Sequence, residues 1–246
     1  MTISCRKDDD GCWKCRKCHN LANSEASEYF LEDATYLAYE AIHLDALNPA
    51  NHEVQIHRPT FDKVLGDLFV IHEAARDTNH VLHDMIFKYQ VHLNSDYGLN
   101  TLNVSLTTAA YNDYMGKKGE SNTEQLNDLT NIYDFSLTSH YATDYPFPFH
   151  ELTFTSETDY NIDAFEDMLK ISEDVMNVNV YNYAYDIEGT DITPLFVTDT
   201  ERAYEFSYGW ENCDLLSCEK YHFWKVEVDD KCNITSVEEY GDELPE

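Results

Sequence analysis

With 246 residues the chain can bury a substantial core in one domain. Its 47 acidic against 16 basic residues give a net charge of −31; such a surface repels phosphate backbones and anionic headgroups, which argues against nucleic acid as a partner and against any membrane contact except through a lipid anchor. A hydrophobic share of 43% with 13% aromatic residues is that of a folded protein and argues against disorder, while no apolar run reaches the roughly 18 to 20 residues needed to cross a bilayer.

In chain order, residues 1–22 stand apart from a single domain over 23–246. Four of the seven cysteines, Cys5, Cys12, Cys15 and Cys18, fall in this first segment. Cys5, preceded by Ser4 and followed by Arg6-Lys7-Asp8-Asp9-Asp10, resembles the mature N-terminus of a Bacteroidota lipoprotein. The resemblance implies lipid on Cys5, a flexible tether after it and an extracytoplasmic address at the outer membrane or cell surface. Only Met1 to Ser4 precede Cys5, too few for a signal peptide, so the chain reads as a truncated precursor.

Lipid on Cys5 leaves six cysteines, Cys12, Cys15, Cys18, Cys213, Cys218 and Cys232, an even set that can pair completely. Bridges joining the two ends would each close a very long loop, at a model-dependent gain of about 3 to 5 kcal/mol. Two other readings of the same residues stay open. Cys15-x-x-Cys18-His19 has the spacing of a c-type haem attachment site, in which both thiols form thioethers and His19 ligates the iron. Cys12, Cys15, Cys18 and His19 also make a tetrahedral zinc set in a reducing compartment. No cofactor is favoured, with haem c the alternative.

Two helices are expected next. Asn23 and Ser24 precede Glu25 and Glu28, and Phe30, Ala34, Leu37, Ala38 and Ala41 recur at helical spacing up to Asn48-Pro49. Pro59-Thr60 opens a second helix, with Phe61, Val64, Leu65, Leu68, Ile71 and Ala75 on one face, ending near Arg76. The period then changes. Phe87, Tyr89, Val91 and Leu93 alternate with polar residues, as do Leu102, Val104 and Leu106, and both runs read as strands. Gly116 to Asn122 reads as a loop, and Leu126, Leu129, Ile132 and Tyr133 as a short helix. Tyr145-Pro146-Phe147-Pro148-Phe149 introduces a strand through Leu152 and Phe154, followed by a helix through Ile162, Phe165 and Leu169 that reaches as far as Val175.

Four strands close the chain: Ile192 to Val197, Ala203 to Trp210, Tyr221 to Val228 and Ile234 to Tyr240. Their short connections predict an antiparallel meander, and Pro194 puts the first of them at the sheet edge. The fold class is therefore α+β, with N-terminal helices packed on a C-terminal antiparallel sheet. The run Gly209-Trp210, Cys213, Cys218 and Phe223-Trp224 resembles a segment of uncharacterised secreted Bacteroidota proteins. It implies an oxidising compartment and a Cys213 to Cys218 bridge, and no activity. The chain departs from that pattern in its wider cysteine spacing and in Ser217, where glycine is expected.

Three further groups bear on chemistry. His72, His80 and His83 lie close to Glu73, Asp77 and Asp84, as in a metal-dependent hydrolase, although His72-Glu73 does not continue into His-Glu-x-x-His. Tyr204, Phe206, Tyr208 and Trp210 alternate, so one strand face could stack on a ligand or fill the sheet's core. No Gly-x-Ser-x-Gly and no phosphate-cradling glycine loop occurs. The expected function is non-catalytic: an envelope lipoprotein that binds a surface polysaccharide or a partner protein. A monohaem electron-transfer protein is the alternative, and the hydrolase a third.

Overall fold

The computed structural model describes residues 6–7, 13–14, 28–93, 98–117, 124–143, 148–170, 175–179, 189–213 and 217–245. The chain divides into two compact units. Unit 1 comprises Met1–Ala46, His57–Ser95 and Tyr185–Glu246, and unit 2 comprises Leu47–Ile56 and Asp96–Ala184. The fold class is α+β, with N-terminal helices and two four-stranded antiparallel sheets. No described helix is long and apolar enough to cross a membrane.

In unit 1, β1 (Arg6–Lys7) pairs with β2 (Trp13–Lys14). Helices α1 (Leu31–His43) and α2 (Arg58–Ala75) come next. Both arise from the expected periodicity: Leu37, Ala38 and Ile42 of α1 and Val64, Leu68 and Ile71 of α2 are buried. Pro59 sits in the first turn of α2, where its missing N–H costs nothing. Phe87 to Leu93, expected as a strand, is instead one π-helical turn over Asp84–Lys88 and then irregular chain. The bonds Tyr89 N to Asp84 O (2.8 Å) and Val91 N to Met85 O (3.1 Å) close that turn. The buried Asp33 fixes the irregular chain beyond it, accepting from Leu93 N (3.1 Å) and lying 2.7 Å from His92 Nδ1. The alternating rings pack without a strand, Phe87 on His72 of α2 and Tyr89 on Tyr208 and Trp224.

The C-terminal meander is as expected. Strands β7 (Thr190–Val197), β8 (Glu201–Trp210), β9 (Lys220–Asp229) and β10 (Ile234–Gly241) form an antiparallel sheet in the order β10-β9-β8-β7, and α1 contacts β7. Pro194 lies in the edge strand, where no inward ladder bond is lost. Period-two alternation sends Tyr204, Phe206, Trp224, Val226 and Val228 into the core.

One polar network crosses this core. Asp67 of α2, fully buried, accepts from Arg202 Nε (2.6 Å) and Nη2 (2.8 Å), and from the phenol of Tyr204 (2.8 Å). Arg202 Nη2 also donates to the carbonyl of Asp229 (2.6 Å), whose carboxylate organises the β9–β10 turn through Lys231 N and Asn233 N. Burial pushes the Asp67 carboxyl up, against the hydrogen bonds and charge of Arg202. Burial pulls Arg202 down, but hydrogen bonding and attraction to Asp67 outweigh it and hold the guanidinium in its charged form. The Tyr204 phenol is held protonated, first by burial and then by the Asp67 charge.

Unit 2 is built on β3 (Thr101–Leu106), β4 (Ser136–Thr143), β5 (Phe149–Thr155) and β6 (Val175–Asn179), ordered β4-β5-β3-β6. Helices α3 (Thr108–Lys117), α4 (Glu124–Asn131) and α5 (Ile162–Lys170) accompany it. Val175, expected at the end of a helix, begins β6 and pairs with Leu106. Its β-branched side chain is better accommodated on a pleated surface. Helix α3 runs into the stretch expected to begin a loop at Gly116. Asn161, fully buried, donates from Nδ2 to the carbonyls of Ala50 (3.2 Å), Asn51 (3.0 Å) and Glu53 (2.9 Å), pinning the short helix Pro49–His52 to the start of α5.

The Asp67–Arg202 pair makes a specific prediction. Asp67→Ala leaves the guanidinium buried without its counter-ion and should lower stability by about 3 to 5 kcal/mol in urea titrations, whereas the triple change Asp67→Leu, Arg202→Met and Tyr204→Phe, which also removes the phenol that Asp67 accepts from, should recover most of that loss. A single variant as stable as the parent would show that the pair is not holding α2 to the sheet.

Candidate functional site

Alternation leaves β8, β9 and β10 with a second face, turned away from the core layer. Register aligns Ser207 with Phe223 and Phe223 with Tyr240, and one step along it aligns Glu205 with Lys225 and Lys225 with Glu238. Tyr221 precedes Phe223 by two residues and so shares its face. The Tyr221 and Phe223 rings have centroids 5.9 Å apart at 20°, and those of Phe223 and Tyr240 are 5.2 Å apart at 16°. Three near-parallel rings thus form a strip across two strands. Tyr221 and Phe223 are half-buried and Tyr240 is 44% exposed.

The strip is held from one end by the disulfide loop. Cys213 and Cys218 are bridged, and Cys218 N donates to the Tyr221 phenol oxygen (2.6 Å). Tyr221 N donates to Asp242 Oδ2 (3.0 Å). Gly209, opposite Tyr221, is required by this approach: a Cβ there would lie 2.7 Å from Tyr221 Cε1 and 2.9 Å from Cys218 Sγ. The bridge itself fits an oxidising compartment outside the cytoplasm.

Polar groups border the rings. The Tyr240 phenol donates to Glu205 Oε2, and Lys225 Nζ pairs with Glu227 Oε1 at 2.7 Å. The hydrogen bond to Glu205, with smaller contributions from burial and from the charges of Glu205 and Glu238, pushes the Tyr240 phenol up to about 12. Lys225 is held above its usual range first by its hydrogen bond to Glu227, which with the charges of Glu227, Glu238 and Glu205 outweighs the opposing effect of burial. Flat apolar faces beside anchored carboxylates and a fixed ammonium suit a ligand that is apolar on its faces and rich in hydroxyl groups at its edges.

The residues singled out in the sequence occupy other places. Tyr204 and Phe206 are fully buried, and Tyr208 and Trp210 are half-buried on the same core-facing side of β8, stacked at 5.6 Å and 17°. The outward-facing ring set is drawn from β9 and β10, which alternation alone could not orient. His72 is buried among Tyr29, Phe30 and Phe87. His83 Nδ1 lies 2.9 Å from the Ala75 carbonyl at the end of α2, and His80 Nδ1 accepts from Leu82 N (3.2 Å). The three histidines serve packing and turn geometry, and among the described residues no three His, Cys, Asp or Glu side chains gather as a metal set. His222, which Tyr221 and Phe223 flank, has Nδ1 2.7 Å from Asp242 O and Nε2 2.9 Å from Glu239 Oε1. Cys232 is buried in the β9–β10 turn. Cys5, Cys12, Cys15, Cys18 and His19 lie outside the described residues, and with them the lipid, haem and zinc expectations.

No protein-family model matches the chain, and neither curated proteins nor solved structures show a significant similarity to it.

The Tyr240 phenol reports on this face. Its pKa lies above the ordinary 10.0, so the folded state keeps a proton that the unfolded chain releases; the resulting stability is present below pH 10 and is lost as pH rises toward about 12. In absorbance titrations of tyrosinate, Glu205→Gln should move one tyrosine of the folded protein down from about 12 toward 10. Superimposable parent and variant titrations would remove Glu205 from the edge of the strip.

Proposed function

We propose that this chain is a non-catalytic, lipid-anchored protein of the cell envelope, of the secreted Bacteroidota kind, that binds a surface polysaccharide on the outer face of its C-terminal sheet. The observation that carries the reading is the Tyr221, Phe223 and Tyr240 strip: three near-parallel rings held in register by two strands and anchored by a disulfide loop. A preformed strip of this kind loses little conformational freedom on binding. Pyranose rings present C–H groups on their faces and hydroxyls around their edges, and Glu205, Lys225 and Glu227 supply acceptors and donors at the strip's border. With a net charge of −31, a polyanionic glycan would be repelled at long range, so a neutral one is the fitting class. Cys5, with the charged segment after it, supports the anchor, and the Cys213–Cys218 bridge supports an oxidising address.

Affinity electrophoresis in gels containing neutral polysaccharides (glucomannan, mixed-linkage β-glucan or starch) tests the reading. Retardation of the full chain by at least one of them is expected. Phe223→Ala and Tyr240→Ala should each abolish it, a loss of roughly 1 to 3 kcal/mol for each buried ring contact, while Ile132→Ala, at an exposed position of unit 2, should leave it intact. Unretarded migration in every gel would refute the polysaccharide assignment.

A further inference from the structure

At the edge of the unit 2 sheet, two histidines meet under a tyrosine. His140 of β4 and His150 of β5 are diagonal neighbours, because register places His140 opposite Leu152 and Ala142 opposite His150. Residues opposite one another, and those two apart on a strand, share a face. His140 Nε2 and His150 Nδ1 are 3.0 Å apart. The Tyr111 ring of α3 covers both imidazoles: it lies 3.9 Å from His150 at 1° and 4.5 Å from His140 at 15°. Its hydroxyl is 3.4 Å from His140 Nδ1, the nitrogen turned away from His150.

We infer that His140 Nε2 and His150 Nδ1 form a two-nitrogen chelating site for a divalent first-row transition ion, with Cu(II) the tightest-binding member of the class. The spacing supports this. An ion about 2.0 to 2.1 Å from each of two imidazole nitrogens, at the angles of tetragonal or tetrahedral coordination, holds those nitrogens about 2.9 to 3.4 Å apart. Two neutral imidazoles turned toward one another at that distance need either a shared proton or a cation between them. Stacking under one aromatic ring restrains both imidazoles before any ion arrives. With two protein donors the remaining coordination positions are left to water or to a ligand, and for imidazole sites of this kind affinity follows the order that places Cu(II) above Ni(II) and Zn(II). This site is independent of the aromatic strip and of any polysaccharide.

The test uses the full chain with its accessible thiols blocked by iodoacetamide, so that cysteine does not compete for copper. One equivalent of Cu(II) should protect His140 and His150 from carbethoxylation by diethyl pyrocarbonate, read by peptide mass spectrometry on the unmutated protein, and should give an electron paramagnetic resonance spectrum with nitrogen coupling. His140→Phe and His150→Phe keep a ring beneath Tyr111 and should each weaken Cu(II) binding by about 10-fold or more, while His52→Gln, at an exposed histidine paired with Asp167, should leave it unchanged. Unaltered carbethoxylation of His140 and His150 at one equivalent of Cu(II) overturns the proposal and leaves the pair as a proton-sharing contact. Equal Cu(II) affinity of the parent and folded Phe variants overturns it as well.

Discussion

The buried Asp67–Arg202 ion pair organises unit 1. Asp67 on α2 and Arg202 on β8 meet deep in the core, where neither charge is tolerable alone. Because the carboxylate must accept both guanidinium bonds and the Tyr204 phenol, the helix can dock on the sheet in only one register. The same guanidinium reaches the Asp229 carbonyl, so the order extends to the β9–β10 turn. Hydrophobic burial around Phe206, Trp224 and Val226 supplies the driving force; the polar network supplies the register.

Fixing one face of the sheet fixes the other. With Tyr204, Phe206 and Trp224 committed inward, period-two alternation obliges Tyr221, Phe223 and Tyr240 to face outward. Their stacking, the Cys213–Cys218 loop at one end and the close approach at Gly209 then hold the rings as a strip. The binding surface we propose is thus a consequence of how the core is specified. Unit 2 obtains its order by other means, through the buried amide of Asn161 and the aromatic cluster of Phe135, Tyr160 and Phe165.

Much of this architecture is legible in the chain where one physical signal dominates. The apolar faces of α1 and α2 have a 3.6-residue period, and the four C-terminal strands alternate between short turns; α2 and the strands are found where expected, and α1 carries the expected face but ends at His43, ahead of the Asn48-Pro49 stop. The failures occur where two signals compete. Phe87 to Leu93 alternates like a strand, yet Asp33 captures its backbone and a π turn forms. Helix α3 is weakly amphipathic, with Asn112 and Asp113 in its middle, and its start depends on Thr107 Oγ1 accepting from Ala110 N (3.2 Å), a local cap rather than a periodic pattern. For the candidate site, alternation identified strands rich in aromatic rings but not the side on which each ring falls, since that depends on pairing with α2. His140 and His150 are ten residues apart in sequence and become neighbours only through the β4–β5 register, which no local pattern discloses.

The most direct measurement on the outer face is an aromatic-ring carbon–proton correlation titration of the full chain with a soluble neutral glucan. Shifts in the rings of Tyr221, Phe223 and Tyr240, with Tyr208, Trp210 and Tyr111 unmoved, are expected. Shifts centred on Tyr208 and Trp210, or on Tyr111 in unit 2, would contradict the assignment of the outer face of the C-terminal sheet as the binding surface.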